Sequence, residues 1–277
     1  MYDCSRGMHL ARREQAQVGH TQPFVSVIIP CYNEGKNLER GVLEEVAQYL
    51  VMQTFPWEVI VVDDESTDNS RHLVEQSIQN KDGFALVNIS HGGKPAALWA
   101  GIQSAGGEVL LFTDMDQSTP ISELGKLLPW HAKGFDVVIG SRNITREGSS
   151  LIRKVGSFVF LSLRRVFLLR DIVDTQCGFK LCRRQVALEI FPHLEFLRHE
   201  EQPAGWKVTA YDVEFLHLVE KAGYKIKEVE VLWSNRDESD TKSQGGDMAR
   251  YLAESMQMAQ EVTRVKRNQI KGLYDEI

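Results

Sequence analysis

The sequence has 277 residues, of which 43% are hydrophobic and 25% are charged, and its formal net charge at pH 7 is −6. These values are ordinary for a soluble globular protein of one domain or slightly more, and the negative charge argues against a general nucleic-acid-binding protein. No run of about 18 apolar residues occurs, so we expect no segment that spans a bilayer. Cys4, Cys31, Cys177 and Cys182 show no C-x-x-C spacing, which favours free thiols in a reducing compartment over a zinc site.

The chain begins with a polar stretch that lacks the apolar core of a signal peptide. We expect residues 1–22 to form a flexible tail. The patterned part of the sequence follows, and we place one α/β domain at residues 23–235. Residues 236–277 are expected to form a mobile loop and a C-terminal helix.

Short β-branched or apolar runs end in clusters of turn-forming residues. The runs are Val25–Ile29, Val59–Val62 and Val109–Phe112, and helical stretches at Lys36–Met52 and Asn69–Gln79 follow the first two. Alternation of strand and helix predicts a mostly parallel sheet with right-handed crossovers. The loops after these strands then open on one edge of the sheet, where ligands of α/β proteins bind.

A pair of carboxylates, Asp114 and Asp116, follows the third run after one intervening residue, Thr113. Two carboxylates one residue apart in a turn can face one hard cation, which prefers oxygen ligands and bridges readily to phosphates. An isolated Asp-x-Asp is also typical of a solvated acidic turn, so the pair gains meaning only from its neighbours in the sequence.

Six motifs in this order resemble the family 2 glycosyltransferases, which have the GT-A fold with its Rossmann-like, mostly parallel sheet. The last three narrow the resemblance to the polyprenyl- or dolichyl-phosphate hexose synthases, and to their glucosyltransferase branch. The resemblance covers about 24–233. The motifs are Pro30-x-Tyr32-Asn33-Glu34, Val62-Asp63-Asp64-x-Ser66-x-Asp68, Asp114-x-Asp116, Gly140-Ser141-Arg142, Asp174–Lys180 and Tyr211–Glu214.

The resemblance implies a nucleotide-sugar site, with Asp64 accepting from the base and a lysine near the phosphates. That lysine, Lys94, lacks the glycine that follows it in the family, so a solvated surface lysine stays an alternative. Tyr32 could likewise belong to the core. The residues assigned to the nucleotide sugar are Pro30, Tyr32, Glu34, Asp64, Lys94, Asp114, Asp174 and Gln176.

The resemblance also implies that Asp114 and Asp116 bind Mg²⁺ or Mn²⁺. A divalent ion is needed because a nucleoside diphosphate leaves poorly until its developing charge is neutralised. In the mannosyl-transferring relatives a glutamine two residues after the second aspartate joins the metal ligands. Here Ser118 has that place and Gln117 is one residue too early, which favours the glucosyl branch.

The acceptor side is basic. Arg142, Arg153 and Lys180 are assigned by the resemblance to the acceptor phosphate, since arginine forks match phosphate oxygens in a bidentate way. A structural ion pair is the alternative for Arg142. Asp116, Arg142 and Asp212 are the expected catalytic residues. Asp212 would be the general base for a hydroxyl acceptor, whereas for a phosphate acceptor it would hold the sugar or orient an arginine.

Two helical segments could contact a membrane. Ser157–Leu169 is apolar almost all round and carries Arg164 and Arg165, which suits a helix at a membrane surface, a helix packed under the sheet or a dimer contact. Met248–Lys271 has helical periodicity and a basic end that either touches anionic lipid or is simply solvated. The loop Ser234–Gly246 between domain and helix is expected to be mobile and to close over the donor.

The sequence thus predicts a metal-dependent, inverting glycosyltransferase that moves a hexose onto a polyprenyl or dolichyl phosphate. UDP-glucose is the favoured donor and GDP-mannose the alternative. We expect the enzyme to be cytoplasmic and peripheral on the cytoplasmic face of a membrane. The alternatives are a related enzyme with a soluble or glycan hydroxyl acceptor, and a non-catalytic nucleotide-binding module of the same fold. A dinucleotide-binding oxidoreductase is disfavoured because no G-x-G-x-x-G follows the first strand.

Overall fold

The computed structural model describes residues 22–142, 172–198, 211–239 and 260–277. Within them, strands and helices alternate through most of the chain, as the sequence pattern predicts. The strands are β1 (Val25–Cys31), β2 (Trp57–Asp63), β3 (Phe84–Asn88), β4 (Val109–Phe112), β5 (Val137–Arg142), β6 (Lys180–Arg183) and β7 (Ile226–Val231). The helices are α1 (Gly35–Glu39), α2 (Val42–Val51), α3 (Ser70–Ile78), α4 (Gly93–Ser104), α5 (Leu124–Ala132), α6 (Arg184–Ile190), α7 (Glu195–Arg198) and α8 (Tyr211–Lys221).

These strands form one sheet in the order β3-β2-β1-β4-β6-β5-β7. β1 to β4 pair in parallel, β5 pairs in parallel with β7, and β6 is antiparallel to both β4 and β5. The carboxyl ends of β1, β2, β4 and β5 therefore lie at one edge, together with the start of the antiparallel β6. The loops that carry the predicted motifs meet at this edge.

One expected element is divided in the structure. The helix expected at Lys36–Met52 forms as α1 and α2, separated at Gly41, whose φ of 84° lies in the left-handed region. An amino acid with a side chain is strained at this φ, so glycine suits the break. The break lets the short helix α1 end beside the site edge while α2 continues along the sheet.

Apolar residues cover both faces of the sheet because successive strand side chains point to opposite sides. Ile28 and Ile60 pack on the face that holds α4, α6 and α8, while Val27 and Val59 pack on the face that holds α1, α2, α3 and α5. Each fully buried side chain of this size contributes roughly 1.5–3 kcal/mol relative to exposure. Phe112 belongs to the first of these faces and lies two residues before the Asp-x-Asp.

The C-terminal residues pack into the same core. Residues 260–270 are helical, and Val265 and Tyr274 are fully buried against the α8 side of the sheet. Arg264 is bonded to Glu195, Glu214 and Glu261. The sequence predicts that the basic end of Met248–Lys271 either touches anionic lipid or is solvated. For Arg264 this prediction is wrong, because the arginine is paired with carboxylates inside the protein. The tertiary carboxylates that capture it come from α7 and α8 and could not be read from the helix itself.

Among the described residues, none of the helices has the length and apolar content required to cross a bilayer. The predicted helix at Ser157–Leu169 and the predicted phosphate ligand Arg153 lie outside the described residues, as does most of the expected loop Ser234–Gly246.

Candidate active site

The carboxylate pair lies in a tight turn that begins one residue after β4. Asp114 is partly exposed, with 43% of its side chain accessible, whereas Asp116 is buried. The Ser118 N–H donates to Asp116 Oδ1 at 2.8 Å, and the Gln117 N–H donates to the Asp114 carbonyl at 3.2 Å. The turn thus presents one carboxylate to the cleft and fixes the other through a backbone bond.

A close backbone approach and a lysine complete the surroundings of Asp114. A side chain at Gly178 would overlap the Asp114 carboxylate in its present position, so glycine leaves room for that carboxylate. The ammonium of Lys94, in the first turn of α4, contacts Asp114 Oδ1. Burial disfavours the charged lysine, but Asp114, Asp212 and Asp116 outweigh this and raise the pKa of Lys94 to about 12. Lys94 therefore stays charged and neutralises part of the acidic pair.

The donor atoms at this turn fit a hard divalent cation. Asp114 and Asp116 supply carboxylate oxygens, the ligands that Mg²⁺ and Mn²⁺ prefer. Within the described residues no group of three or more His, Cys, Asp or Glu side chains forms a metal cluster. Two protein carboxylates leave coordination positions for substrate phosphates and water, as Mg²⁺ sites usually do.

Arg142, the last residue of β5, is held by a carboxylate from the neighbouring loop. Its Nε donates to Asp174 Oδ2 at 2.7 Å and its Nη2 donates to Oδ1 at 2.9 Å, while its backbone N–H also donates to Oδ2 at 3.0 Å. Burial opposes the charge of Asp174, but the bonds with Arg142 hold its pKa below the usual value. The carboxylate expected to face the sugar is thus occupied by the arginine in the structure.

Two further contacts position this pair. The N–H of Asp174 donates to Glu228 Oε1 at 2.7 Å, which ties the loop to β7. The Arg142 guanidinium also lies 5.7 Å from the ring centroid of Trp233, a distance suited to a cation–π contact. Glu228 and Trp233 were not identified from the sequence, because neither belongs to a motif and only the fold brings them to Arg142.

Lys180 and Asp212 form a second ion pair beneath the site. Lys180 is fully buried, and its ammonium contacts Asp212 Oδ1 and the Cys177 carbonyl. The lysine thus points at a carboxylate and a backbone oxygen, and we find no geometry in support of direct contact with an acceptor phosphate. One of the alternatives for Asp212 is that it orients an arginine. In the structure Asp212 instead holds Lys180, and the carboxylate that holds Arg142 is Asp174.

At the nucleotide end, Asp64 organises the loop before α4. Its carboxylate accepts from the N–H groups of Gly92 at 2.8 Å and Gly93 at 2.9 Å, and His91 Nδ1 lies 3.1 Å from Oδ2. Burial raises the pKa of Asp64, while these donors oppose the rise. The ring of Tyr32 lies 4.6 Å from that of His91, centroid to centroid, so Tyr32 is directed to this loop rather than to the core.

The first two loops are tied together by polar side chains. Asn33 exchanges hydrogen bonds with Thr67, and the Glu34 N–H donates to Ser70 Oγ at 2.7 Å. Burial, with nearby Asp237, raises the pKa of Glu34 to about 7 even though Asn37 donates to it and opposes the rise. Pro30 precedes this loop in β1. The predicted base and ribose residues therefore share one end of the site edge.

A small cavity of about 50 Å³ lies between the Asp114 turn and Arg142. Gln176 lines it, and its backbone N–H also donates to Asp174 Oδ1 at 3.2 Å. The other lining residues are Thr113, Asp114, Ser118, Thr119, Arg142, Cys177, Gly178, Phe179 and Trp233. Among the predicted residues, Asp114, Arg142 and Gln176 thus meet in one cavity, while Asp64 and Glu34 lie at the nucleotide end.

Comparison with known proteins agrees with this geometry. The family described as glycosyl transferase family 2 matches residues 26–191. The dolichyl-phosphate beta-glucosyltransferase of Drosophila melanogaster is 35% identical over 78% of this chain and 68% of that protein. The dolichyl-phosphate beta-glucosyltransferase of Saccharomyces cerevisiae is 31% identical over 91% of this chain and 76% of that protein.

Solved structures show the same fold at lower identity. Glucosyl-3-phosphoglycerate synthase from Mycobacterium tuberculosis, in complex with Mn²⁺, UDP and glucosyl-3-phosphoglycerate, superposes with a TM-score of 0.58 at 17% identity, covering 88% of this chain and 80% of that one. The mannosyltransferase PcManGT from Pyrobaculum calidifontis, in complex with GDP-Man and Mn²⁺, gives 0.57 at 20% identity, covering 88% and 65%. The predicted GT-A fold is confirmed.

The family match spans more than half of the chain, and the curated relatives cover most of it. The sequence motifs and the site edge that they form agree with that match. The protein is a glycosyltransferase and belongs to glycosyl transferase family 2.

Proposed function

We propose that this glycosyltransferase moves a hexose, with glucose from UDP-glucose favoured, onto a polyprenyl or dolichyl phosphate. The observation that carries the proposal is that Arg142 lines the same cavity as Asp114, the carboxylate predicted to hold the donor's metal. A guanidinium fork beside the donor site suits an anionic acceptor. The names of the curated relatives, which are dolichyl-phosphate beta-glucosyltransferases, support the same acceptor and sugar.

Asp114 and Asp116 would supply carboxylate ligands to Mg²⁺ or Mn²⁺. When bound, the ion neutralises the charge that develops on the departing nucleoside diphosphate. Lys94 adds a positive charge beside the same carboxylates, and its contact with Asp114 supports a role beside the donor phosphates. The Asp64 loop, with Tyr32 and its partner ring, would bind the base and ribose.

The acceptor needs no general base in this scheme. A phosphate monoester is ionised near neutral pH, so its oxygen can attack the anomeric carbon in a single in-line displacement that inverts the configuration. Arg142 would hold that phosphate while Asp174 fixes the guanidinium plane. Asp212, whose Oδ1 contacts the buried Lys180 ammonium, is held as part of an ion pair and would shape the sugar side of the cleft.

We also propose peripheral binding to the cytoplasmic face of a membrane, where a polyprenyl phosphate headgroup would be presented. The lipid acceptor of the named relatives supports this, together with the apolar pattern of Ser157–Leu169. The test is sedimentation with liposomes that contain anionic lipid, and release by salt or by the double change Arg164→Glu and Arg165→Glu. Absence of binding at every lipid composition would contradict the proposal.

The acceptor and donor are tested together by measuring sugar transfer in detergent. UDP-glucose and GDP-mannose are each supplied with dolichyl phosphate or with a neutral hydroxyl acceptor, in the presence of Mg²⁺ or Mn²⁺. We expect a glucosylated lipid phosphate as the main product. Transfer to the hydroxyl acceptor without transfer to the lipid would support the alternative enzyme, and faster transfer from GDP-mannose would overturn the choice of donor.

A further inference from the structure

The turn that carries the carboxylate pair contains an unusual backbone conformation. Gln117 has φ of 50°, a region that residues other than glycine, asparagine and aspartate rarely adopt. Its side chain amide donates to the Asp114 carbonyl at 2.9 Å, which helps to close the turn. Such conformations persist where surrounding contacts hold them in place. The direction of Asp116 depends on this turn, so the contacts that hold it bear on the predicted metal site.

A segment after β7 lies along the turn. We call residues 232–239 the strap. Its Ser234 N–H donates to the Ser118 carbonyl at 2.9 Å, and its Arg236 N–H donates to Ser118 Oγ at 3.2 Å. The Leu232 N–H donates to Glu123 Oε2 at 3.0 Å. The strap therefore forms hydrogen bonds with Ser118, at the end of the turn, through both the backbone and the side chain of this serine.

Arg40 joins the strap to the turn from the opposite side. This residue directly follows α1. Its Nη2 donates to the Asp116 carbonyl at 2.8 Å, and its Nη1 donates to the Arg236 carbonyl at 2.6 Å. The Arg236 guanidinium in turn bonds both carboxylate oxygens of Glu45 on α2, at 2.7 and 2.9 Å. One guanidinium thus fixes the backbone of Asp116 and the strap together.

We propose that Arg40 is a positioning residue for the metal-binding carboxylate: by holding the Asp116 carbonyl against the strap, it keeps Asp116 aimed at the cation. The inference rests on the proposed metal role of Asp114 and Asp116. Both guanidinium hydrogen bonds of Arg40 go to backbone carbonyls, one of them that of Asp116, so we assign its effect to the position of Asp116. Lysine has a single ammonium and cannot span both carbonyls with a planar fork, so it should restore only part of the effect.

The test measures binding of Mn²⁺ alone by electron paramagnetic resonance, and the metal dependence of transfer. Arg40→Gln should weaken Mn²⁺ binding about tenfold and raise the half-saturating metal concentration by a similar factor, with a much smaller change in the maximal rate at saturating metal. Arg40→Lys should lie between the wild type and Arg40→Gln. The matched control is Arg184→Gln, because Arg184 is another half-buried arginine that donates to a distant backbone carbonyl, that of Ala105 at 2.7 Å. It should leave Mn²⁺ binding unchanged.

Glu45→Gln gives a second, milder test. This change on the surface of α2 weakens the ion pair that holds the Arg236 guanidinium and alters no buried side chain. It should weaken Mn²⁺ binding severalfold, and the double variant with Arg40→Gln should be no weaker than Arg40→Gln alone, because both act on one strap. If folded Arg40→Gln and Glu45→Gln proteins bind Mn²⁺ as the wild type does, the positioning role is wrong while the proposed function stands. If the wild type itself shows no saturable Mn²⁺ binding, the metal assignment and this inference both fail.

Discussion

The two sides of the cleft hold their charged groups in different ways. On the donor side, Asp64 and Asp116 accept hydrogen bonds from backbone N–H groups. On the acceptor side, Arg142 is paired with Asp174 and the buried Lys180 with Asp212. A backbone bond fixes a carboxylate and leaves its full charge for a ligand, whereas an ion pair cancels much of the charge of both partners. The donor side therefore offers carboxylates to a cation, although Lys94 already offsets part of the charge of Asp114, and the acceptor side holds its arginine in place until an anion competes for it.

The largest expected effect is on the donor side, where one carboxylate charge faces the cation. Asp116→Asn should reduce transfer to background and remove most of the dependence on divalent metal, and Asp114→Asn should do the same or slightly less. Initial rates at increasing Mg²⁺ and Mn²⁺ measure this. The exposed Asp82→Asn is the control. Near wild-type turnover of Asp116→Asn at saturating metal would show that the carboxylate pair is not the metal site.

On the acceptor side, Arg142→Lys should be poorly tolerated, because a point charge cannot keep the two-pronged contact with Asp174 and also meet a phosphate. Transfer to lipid phosphate should fall by about 10²-fold, a loss of roughly 3 kcal/mol in transition-state stabilisation. Slow hydrolysis of the nucleotide sugar should be spared, since it requires only the donor side.

The control for this change is Arg71→Lys, an ion-paired arginine on α3 away from the cleft. Lipid transfer and donor hydrolysis are assayed on the same preparations. Equal losses in both activities would mean that Arg142 supports the donor rather than the acceptor.

The other acceptor-side pair should matter more for stability than for chemistry. Asp212→Asn leaves the Lys180 ammonium buried without its counter-charge, and we expect a loss of roughly 3–5 kcal/mol in the free energy of unfolding. Transfer should fall only severalfold, because an ionised phosphate needs no base. Urea unfolding and transfer rates measure the two effects.

Removing the buried charge as well provides a check on this explanation. The double variant Lys180→Met with Asp212→Asn should lose less stability than the sum of the single changes. A near-complete loss of transfer in a stable Asp212→Asn protein, beside an active Arg142→Lys, would instead favour a hydroxyl acceptor with Asp212 as its base.

At the nucleotide end, Asp64→Ala should weaken nucleotide binding by roughly 1–3 kcal/mol, since it leaves buried donors without an acceptor. In the structure these donors include the Gly92 and Gly93 N–H groups, so part of the loss should come from a loosened loop. Calorimetry with UDP and GDP measures both the site and the base preference. Tighter binding of GDP would contradict the glucosyl branch, and unchanged UDP affinity would remove Asp64 from the site.

The sequence predicts the donor side better than the acceptor side for a physical reason. Strand ends that point to one edge of a parallel sheet can be read from short local patterns, so the places of Asp64 and of the Asp114 turn follow from the motifs. The partner of Arg142 could not be read in this way, because Asp174 and Glu228 reach it only through the antiparallel β6 and the last strand.

Arg40 is a sharper case of the same limit. It lies where the sequence predicts one continuous helix, and nothing in its neighbours distinguishes it from a solvated arginine. Its two carbonyl partners are 76 and 196 residues away along the chain. The proposed role of Arg40 depends on the helix break at Gly41 and on the folded position of the strap. The residues next to Arg40 in the sequence therefore do not predict it.

The smallest expected effect again concerns the donor side, where the half-buried carboxylate of Glu34 lies near Asp237, Asp116 and Asp114. Burial raises the pKa of Glu34 from 4.5 to about 7 in the folded protein. Between these two values the folded state binds more protons at this residue than the unfolded state does, so Glu34 lowers stability as pH rises. Glu34→Gln removes this contribution. The variant should therefore gain stability relative to the wild type as pH rises from 4.5 to about 7, measured by urea unfolding at several pH values. Glu39→Gln, at the exposed end of α1, is the control for loss of a surface carboxylate. A constant difference between Glu34→Gln and the wild type across this range would show that the carboxylate titrates alike in both states, so that burial beside Asp237 would not raise its pKa in the folded protein.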